Sequence, residues 1–240
     1  MLTNKFKINY SIGSIANGIK TDTFTFFLLF FYSNIIGLKP ALAGLAIFIA
    51  LCVDAVTDPL MGTISDRTKS SLGRRHPYML ISFIPMSLGY VFLFAPRQDW
   101  DMSQNDLFVW MTIFTVLTRI GMTLFDIPHR AFGGEVTKNY KERTLLMSWR
   151  EMVGWVAGLS NAFLGYGIFF ASTPEYPQGQ LNPDAWFPFA VTGAIFMILS
   201  VLYSSLSTKD EIKSLSKWSG SISLIDILKE IKIDVGNKSF

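Results

Sequence analysis

Asp54 and Asp58 lie in the stretch DAVTDPLMGTISDRTKSSLGRRHP, in the part of it that is otherwise apolar. Four residues apart on a helix, they share one face. A charged side chain at mid-bilayer costs about 2.5–3.5 kcal/mol on insertion scales, and like charges so close repel each other. Three things relieve that cost: a cation between the two acids, a proton on one of them, or basic groups from other helices in an internal salt-bridge network. A small hard cation such as Na⁺ takes oxygen ligands, which carboxylates and hydroxyls supply.

Arg119, Thr123 and Asp126 form a second stripe, spaced four and three apart, with Pro128 close behind to loosen the local backbone bonding. Thr123 and Asp126 would complete an oxygen shell with Asp54 and Asp58; the alternative is pairing of Arg119 with Asp126 along the helix. Arg150 either counters a carboxylate or donates two parallel hydrogen bonds to a polar substrate. Gly154 and Gly158 beyond it allow close helix approach. Ser11, Ser14, Asn17, Thr21 and Thr25 make a polar stripe, suited either to the wall of a water-filled cavity or to hydrogen bonds between helices.

The elements that must carry these residues are membrane helices. Half of the 240 residues are apolar and 16% are charged, against about a quarter charged in soluble domains. Six stretches reach the roughly 20 apolar residues a bilayer core requires: 8–32, 41–64, 78–95, 106–128, 145–170 and 185–206. The basic residues alternate between the intervening segments. Lys5, Lys7, the 67–75 loop, the 130–143 segment and the tail hold most of them, while the other loops hold only Lys39 and Arg97. By the positive-inside rule both ends are cytoplasmic. The N-terminal stretch lacks the short apolar core and small-residue cleavage site of a secretory signal.

Residues 1–208 are therefore expected to form a six-helix, all-α transmembrane unit. Residues 209–240 would be a cytoplasmic linker, in which Ile222, Leu224, Ile225, Leu228 and Ile231 mark either an amphipathic helix or a solvated connector. Trp100 and Trp186, near helix ends, are expected as interfacial anchors. Single Cys52 permits no internal disulfide. The net charge of +3 is weak evidence for nucleic acid, and no such partner is expected. An enzyme is not expected either: no Ser/His/Asp or metal-ligand cluster is visible, and His76 and His129 fall in or beside loops.

The loop GTISDRTKSSLGRRHP, with Gly62, Asp66, Arg67, Gly73, Arg74 and Arg75, resembles the loop between the second and third helices of the major facilitator superfamily. The longer DAVTDPLMGTISDRTKSSLGRRHPYML and FDIPHRAFGGEVTKNYKERTLLMSWR are similar to the glycoside–pentoside–hexuronide:cation symporters, the melibiose permease group. The likeness covers nearly the whole chain, but only the N-terminal half of such a transporter.

It implies a cation-coupled symporter of a sugar or glycoside in the inner (cytoplasmic) membrane, with Na⁺ or H⁺ as coupling ion and no other cofactor. Asp54, Asp58 and Asp126 would hold the cation, with Thr123 as a neutral ligand. Asp126 and Arg150 would contact the sugar. Asp66, Arg67, Arg74 and Arg75 would belong to a gating loop that holds the two halves together.

Two departures bear on substrate. Gly18 stands where melibiose permeases carry a sugar-binding acid, with Asn17 or Asp22 as substitutes. Arg130 replaces a sugar-stacking aromatic, which suits an acidic sugar such as a hexuronide. Some animal relatives carry lysophospholipids, which leaves a lysolipid or another solute as the alternative cargo. Such transporters have twelve helices. The expected partners are therefore membrane lipids, the substrate, and a missing C-terminal half or a second chain; alone, the chain is expected not to transport.

Overall fold

The computed structural model describes residues 2–214, and the expected amphipathic segment at 222–231 lies outside them. Among the described residues every regular element is helical. Five helices are long and apolar enough to cross a membrane: Pro40–Arg67, His76–Leu93, Gln104–Glu135, Tyr140–Phe169 and Pro183–Glu211. The expected first span is assembled from pieces. α1 (Asn4–Ile12) and α2 (Ser14–Asp22) meet at Gly13; a π-helical turn at Thr23–Phe27, α3 (Leu28–Phe30) and a second π turn at Phe31–Ile35 complete it. Then come α4 (Pro40–Arg67), α5 (His76–Ile81), α6 (Phe83–Leu93), α7 (Gln104–Glu135), α8 (Tyr140–Leu164) and α9 (Trp186–Ser207). An all-α bundle of six crossings results, with the third crossing shared between α5 and α6.

Most crossings overrun the stretches expected from apolarity. α7 starts on a capping box, in which the Ser103 hydroxyl accepts from the Asp106 amide and the Asp106 carboxylate accepts from the Ser103 amide. It then continues past Pro128 to Glu135. A proline removes one backbone donor, but unwinding would leave several backbone groups unpaired where water is scarce, so the helix persists. His129, expected near a loop, is thus inside α7 and fully buried. It stacks on Tyr10 at 4.1 Å and on Phe125 at 4.8 Å, with Nε2 3.1 Å from the Tyr10 carbonyl. His76 is likewise buried, at the start of α5, 3.2 Å from the Thr208 hydroxyl.

One end of the bundle is closed by aromatic packing. Trp186 was expected at the interface but is fully buried, stacked against Phe94 and touching Phe31 and Phe170, and its indole donates to the Gln180 carbonyl at 3.0 Å. The indole has both an apolar pocket and a hydrogen-bond acceptor, so burial is favoured over the interface. Trp100 is half-exposed, as an anchor would be.

α2 and α8 cross at glycine. A Cβ on Gly18 would lie 2.0 Å from the Gly154 carbonyl oxygen, so only glycine permits this approach. That contact also accounts for the missing acid at position 18: no side chain fits there. Gly18→Ala is expected to force the helices apart and cost about 1–3 kcal/mol, read as a lowered melting temperature in detergent. The control Gly44→Ala, with nothing within 4 Å of the added carbon, should change stability by less than about 1 kcal/mol.

Candidate functional site

α4, α7 and α8 bring the intramembrane charges together as cross-helix pairs. Arg119 of α7 donates from Nε to Asp54 of α4 at 2.6 Å, with Nη2 at 2.5 Å from the same oxygen. The alternative pairing of Arg119 with Asp126 along one helix does not occur. Instead, Arg150 of α8, 1% exposed, binds Asp126 Oδ1 and also Glu151, while Arg130 donates to Asp126 Oδ2 at 2.7 Å. Asp126 therefore sits between two guanidinium groups. One of them, Arg150, is sealed in the bundle; the other, Arg130, is 51% exposed.

Asp58 has a different environment. Thr123 donates to its Oδ1 at 2.7 Å, and no Lys or Arg forms an ion pair with it among the described residues. One turn away, Asp54 Oδ1 is buried without a hydrogen-bond partner, as is the hydroxyl of Thr57. Asp58 with Thr123, and on the same helix Asp54 Oδ1 and Thr57, offer hard oxygen atoms with spare lone pairs, the chemistry a small cation accepts. Asp126 does not join them: among the described residues no three Asp, Glu, His or Cys side chains come close enough together to hold a metal ion. The expected three-carboxylate shell is resolved in this conformation into two salt-bridged acids and one acid held by a hydroxyl. Arginine reach explains the difference, because a guanidinium on a neighbouring helix spans the gap that a shared ion would otherwise fill.

Asn17 is half-buried on α2 and makes no side-chain hydrogen bond among the described residues. Along the polar stripe of the first crossing, Ser14 donates to the Arg150 carbonyl at 2.6 Å, so this part serves helix contact. Lys20 has no ion-pair partner among the described residues and lies over the Phe24 ring at 5.7 Å.

The basic loop after α4 forms a second cluster, at the end where α7 stops. Gly73 turns the chain with φ of 76°, a conformation that favours glycine. Arg75, 5% exposed, donates to Asp66 at 2.6 Å and to Glu135 at 2.8 Å. Arg74 also binds Glu135, and that hydrogen bond holds its guanidinium above the ordinary value. Arg67 ends α4, and Gly62 lies in α4 with only Ile127 near a would-be Cβ. Glu135 escaped the sequence reading. Its signal is an acid two residues beyond a glycine at the end of an apolar helix, with a basic loop elsewhere to receive it.

The family described as MFS/sugar transport protein matches residues 9–234. The chain belongs to this family. Its likeness to individual proteins is distributed along the sequence. It is 30% identical to the inner membrane symporter YicJ of Escherichia coli over 68% of this chain and 35% of that protein. It is 23% identical to the isoprimeverose transporter of Lactiplantibacillus pentosus over 94% and 46%, and 30% identical to a sodium-dependent lysophosphatidylcholine symporter of Danio rerio over 72% and 32%. The chain spans about a third to a half of the length of the curated relatives it matches. It is the N-terminal half of a major facilitator bundle, a multi-pass membrane protein of a transporter family.

The Arg119–Asp54 pair gives a stability test. Removing one partner of a largely buried pair strands the other charge, at a cost of about 3–5 kcal/mol. Arg119→Gln should destabilise by about that much. Adding Asp54→Asn should recover most of the loss, read as a double-mutant cycle of denaturation in detergent.

Proposed function

We propose that this bundle is the N-terminal half of a cation-coupled symporter that carries a sugar or glycoside across the inner (cytoplasmic) membrane. Asp58 and Thr123 bind the coupling cation, Na⁺ or H⁺, with Asp54 Oδ1 completing the set. Asp126, Arg130 and Asn17 face the substrate, and Arg150 reaches it when its pair with Asp126 opens. The observation that carries this reading is the contrast between the acids. Asp54 and Asp126 each have a guanidinium, whereas Asp58 has a hydroxyl and, among the described residues, no salt-bridged Lys or Arg. A carboxylate in that position is stabilised by a positive charge that comes and goes.

The remaining features fit alternating access, in which two halves rock about a central site. The Asp66–Arg75–Glu135–Arg74 cluster fastens the end that also holds the basic residues, which by the positive-inside rule faces the cytoplasm with both termini. The C-terminal half, on the same or another polypeptide, supplies the opposite wall. A second reading, lysolipid transport, is favoured by the Danio rerio relative and by Arg130, whose half-exposed guanidinium suits a phosphate as well as a sugar carboxylate.

The test is uptake into vesicles by this chain completed with a C-terminal half. Asp58→Asn should abolish uptake driven by a Na⁺ or pH gradient. Thr123→Ala removes one hydrogen bond to a charged group, worth about 1.5 kcal/mol or more, and should weaken the apparent cation affinity about tenfold. Labelled glycosides and labelled lysophosphatidylcholine in parallel separate the two cargoes. Wild-type gradient dependence in both variants would contradict the assignment.

A further inference from the structure

A fourth acid lies inside the bundle and takes no part in the cluster around Asp54, Asp58 and Asp126. Asp22 ends α2, near the midpoint of the first crossing, and is 7% exposed. Its Oδ2 accepts from the Asn161 amide of α8 at 3.3 Å; the same amide donates to the Thr23 hydroxyl at 3.2 Å, and Thr23 shares a hydrogen bond with the Tyr90 hydroxyl of α6 at 2.7 Å. Asn161 and Thr23 are uncharged, and Asn161 and Tyr90 are 5% and 0% exposed.

Among the described residues no Lys, Arg or His forms an ion pair with this acid. Lys20 is two residues back, so it projects from a different face of α2, and its ammonium lies over Phe24. On α8, Arg150 is engaged by Asp126 and Glu151. On α7, Arg119 is taken by Asp54 and Arg130 by Asp126, and α9 carries no Lys, Arg, Asp, Glu or His. Asp22 also stands where the backbone departs from the α-helix: the π turn Thr23–Phe27 follows immediately, and such turns are frequent at functional sites. The seal over it is the α2–α8 crossing, where a Cβ on Gly158 would lie 3.3 Å from the Asp22 Cβ and 3.1 Å from the Gly18 carbonyl oxygen.

We propose that Asp22 is a proton-binding site, separate from the cation site on α4 and α7. A largely buried carboxylate whose partners among the described residues are all neutral is stabilised by a proton, because an ion there has little water and no counter-charge. Protonation leaves the existing hydrogen bond in place, since one oxygen still accepts from the Asn161 amide. Closed packing of α2 on α8 retains the proton; separation of the two helices admits water and releases it. The ligand is H⁺ itself, so the inference does not depend on which solute the bundle carries or on the role of Asp58.

Infrared spectroscopy of the full chain in lipid tests it. At neutral pH the wild-type protein should show the carbonyl-stretch band of a protonated carboxyl. Asp22→Asn should remove that band, and Asp22→Glu should replace it with one at a displaced frequency. The Glu variant keeps a titratable group of the same charge, so it gives the answer even if the Asn variant folds poorly. The same band in all three proteins, or no protonated-carboxyl band in the wild type, overturns the proposal. Either result can occur with gradient-driven uptake intact, so it leaves the symport reading standing.

Discussion

A carboxylate inside a lipid-embedded bundle must meet a positive charge or a proton, and the way each acid of this chain does so organises the rest of the structure. Arg119 reaches from α7 to Asp54 on α4, and Arg150 from α8 to Asp126 on α7. These two pairs tie three neighbouring crossings together through groups that would be costly alone. Once one partner is in place the other is held, since separating such a pair strands a charge in a low-dielectric interior. Asp58 is the exception, and its hydroxyl partner leaves capacity for a mobile cation.

Irregular or proline-containing backbone occurs both in crossings that carry these charges and in the first crossing beside them. α4 contains Pro59, α7 contains Pro128, and the first crossing is interrupted by two π turns. Each removes or displaces backbone hydrogen bonds; Pro59 follows Asp58 and Pro128 lies two residues beyond Asp126, whereas the turn at Phe31–Ile35 belongs to the aromatic end. Irregular backbone at membrane depth, as in the first crossing, is tolerated where it is buried in protein or lines a cavity. The two ends are firmer: aromatic rings around Trp186 close one, and the Arg75–Asp66–Glu135 cluster ties the other.

Much of this was legible in the residues. The apolar stretches located the crossings, because some 20 mainly apolar residues in a row are what a bilayer core requires, even where single charges interrupt them. The spacing of Asp54 with Asp58, and of Arg119 with Thr123, matches two helix faces that do meet, through Arg119–Asp54 and Thr123–Asp58. Boundaries were less legible, since hydropathy falls off before a helix does: α4 continues through Asp66 and Arg67, and α7 through Pro128 to Glu135. Partner choice was illegible. Whether Arg119 takes Asp126 or Asp54 depends on helix rotation and separation, which one sequence does not encode in any local pattern. Trp186 was misplaced for a related reason: its position near a helix end suggested the interface, whereas the pocket between Phe31, Phe94 and Phe170 is built from three distant segments.

The central claim is that Asp58 is the acid a mobile cation visits. Electrical recording on a solid-supported membrane measures this directly, using this chain completed with a C-terminal half and subjected in turn to a sudden Na⁺ step and a sudden pH step. A cation entering the bundle moves charge, so the wild-type protein should give a transient current to one of the two steps, and Asp58→Asn should give none. A transient of wild-type size in Asp58→Asn would show that the cation binds elsewhere.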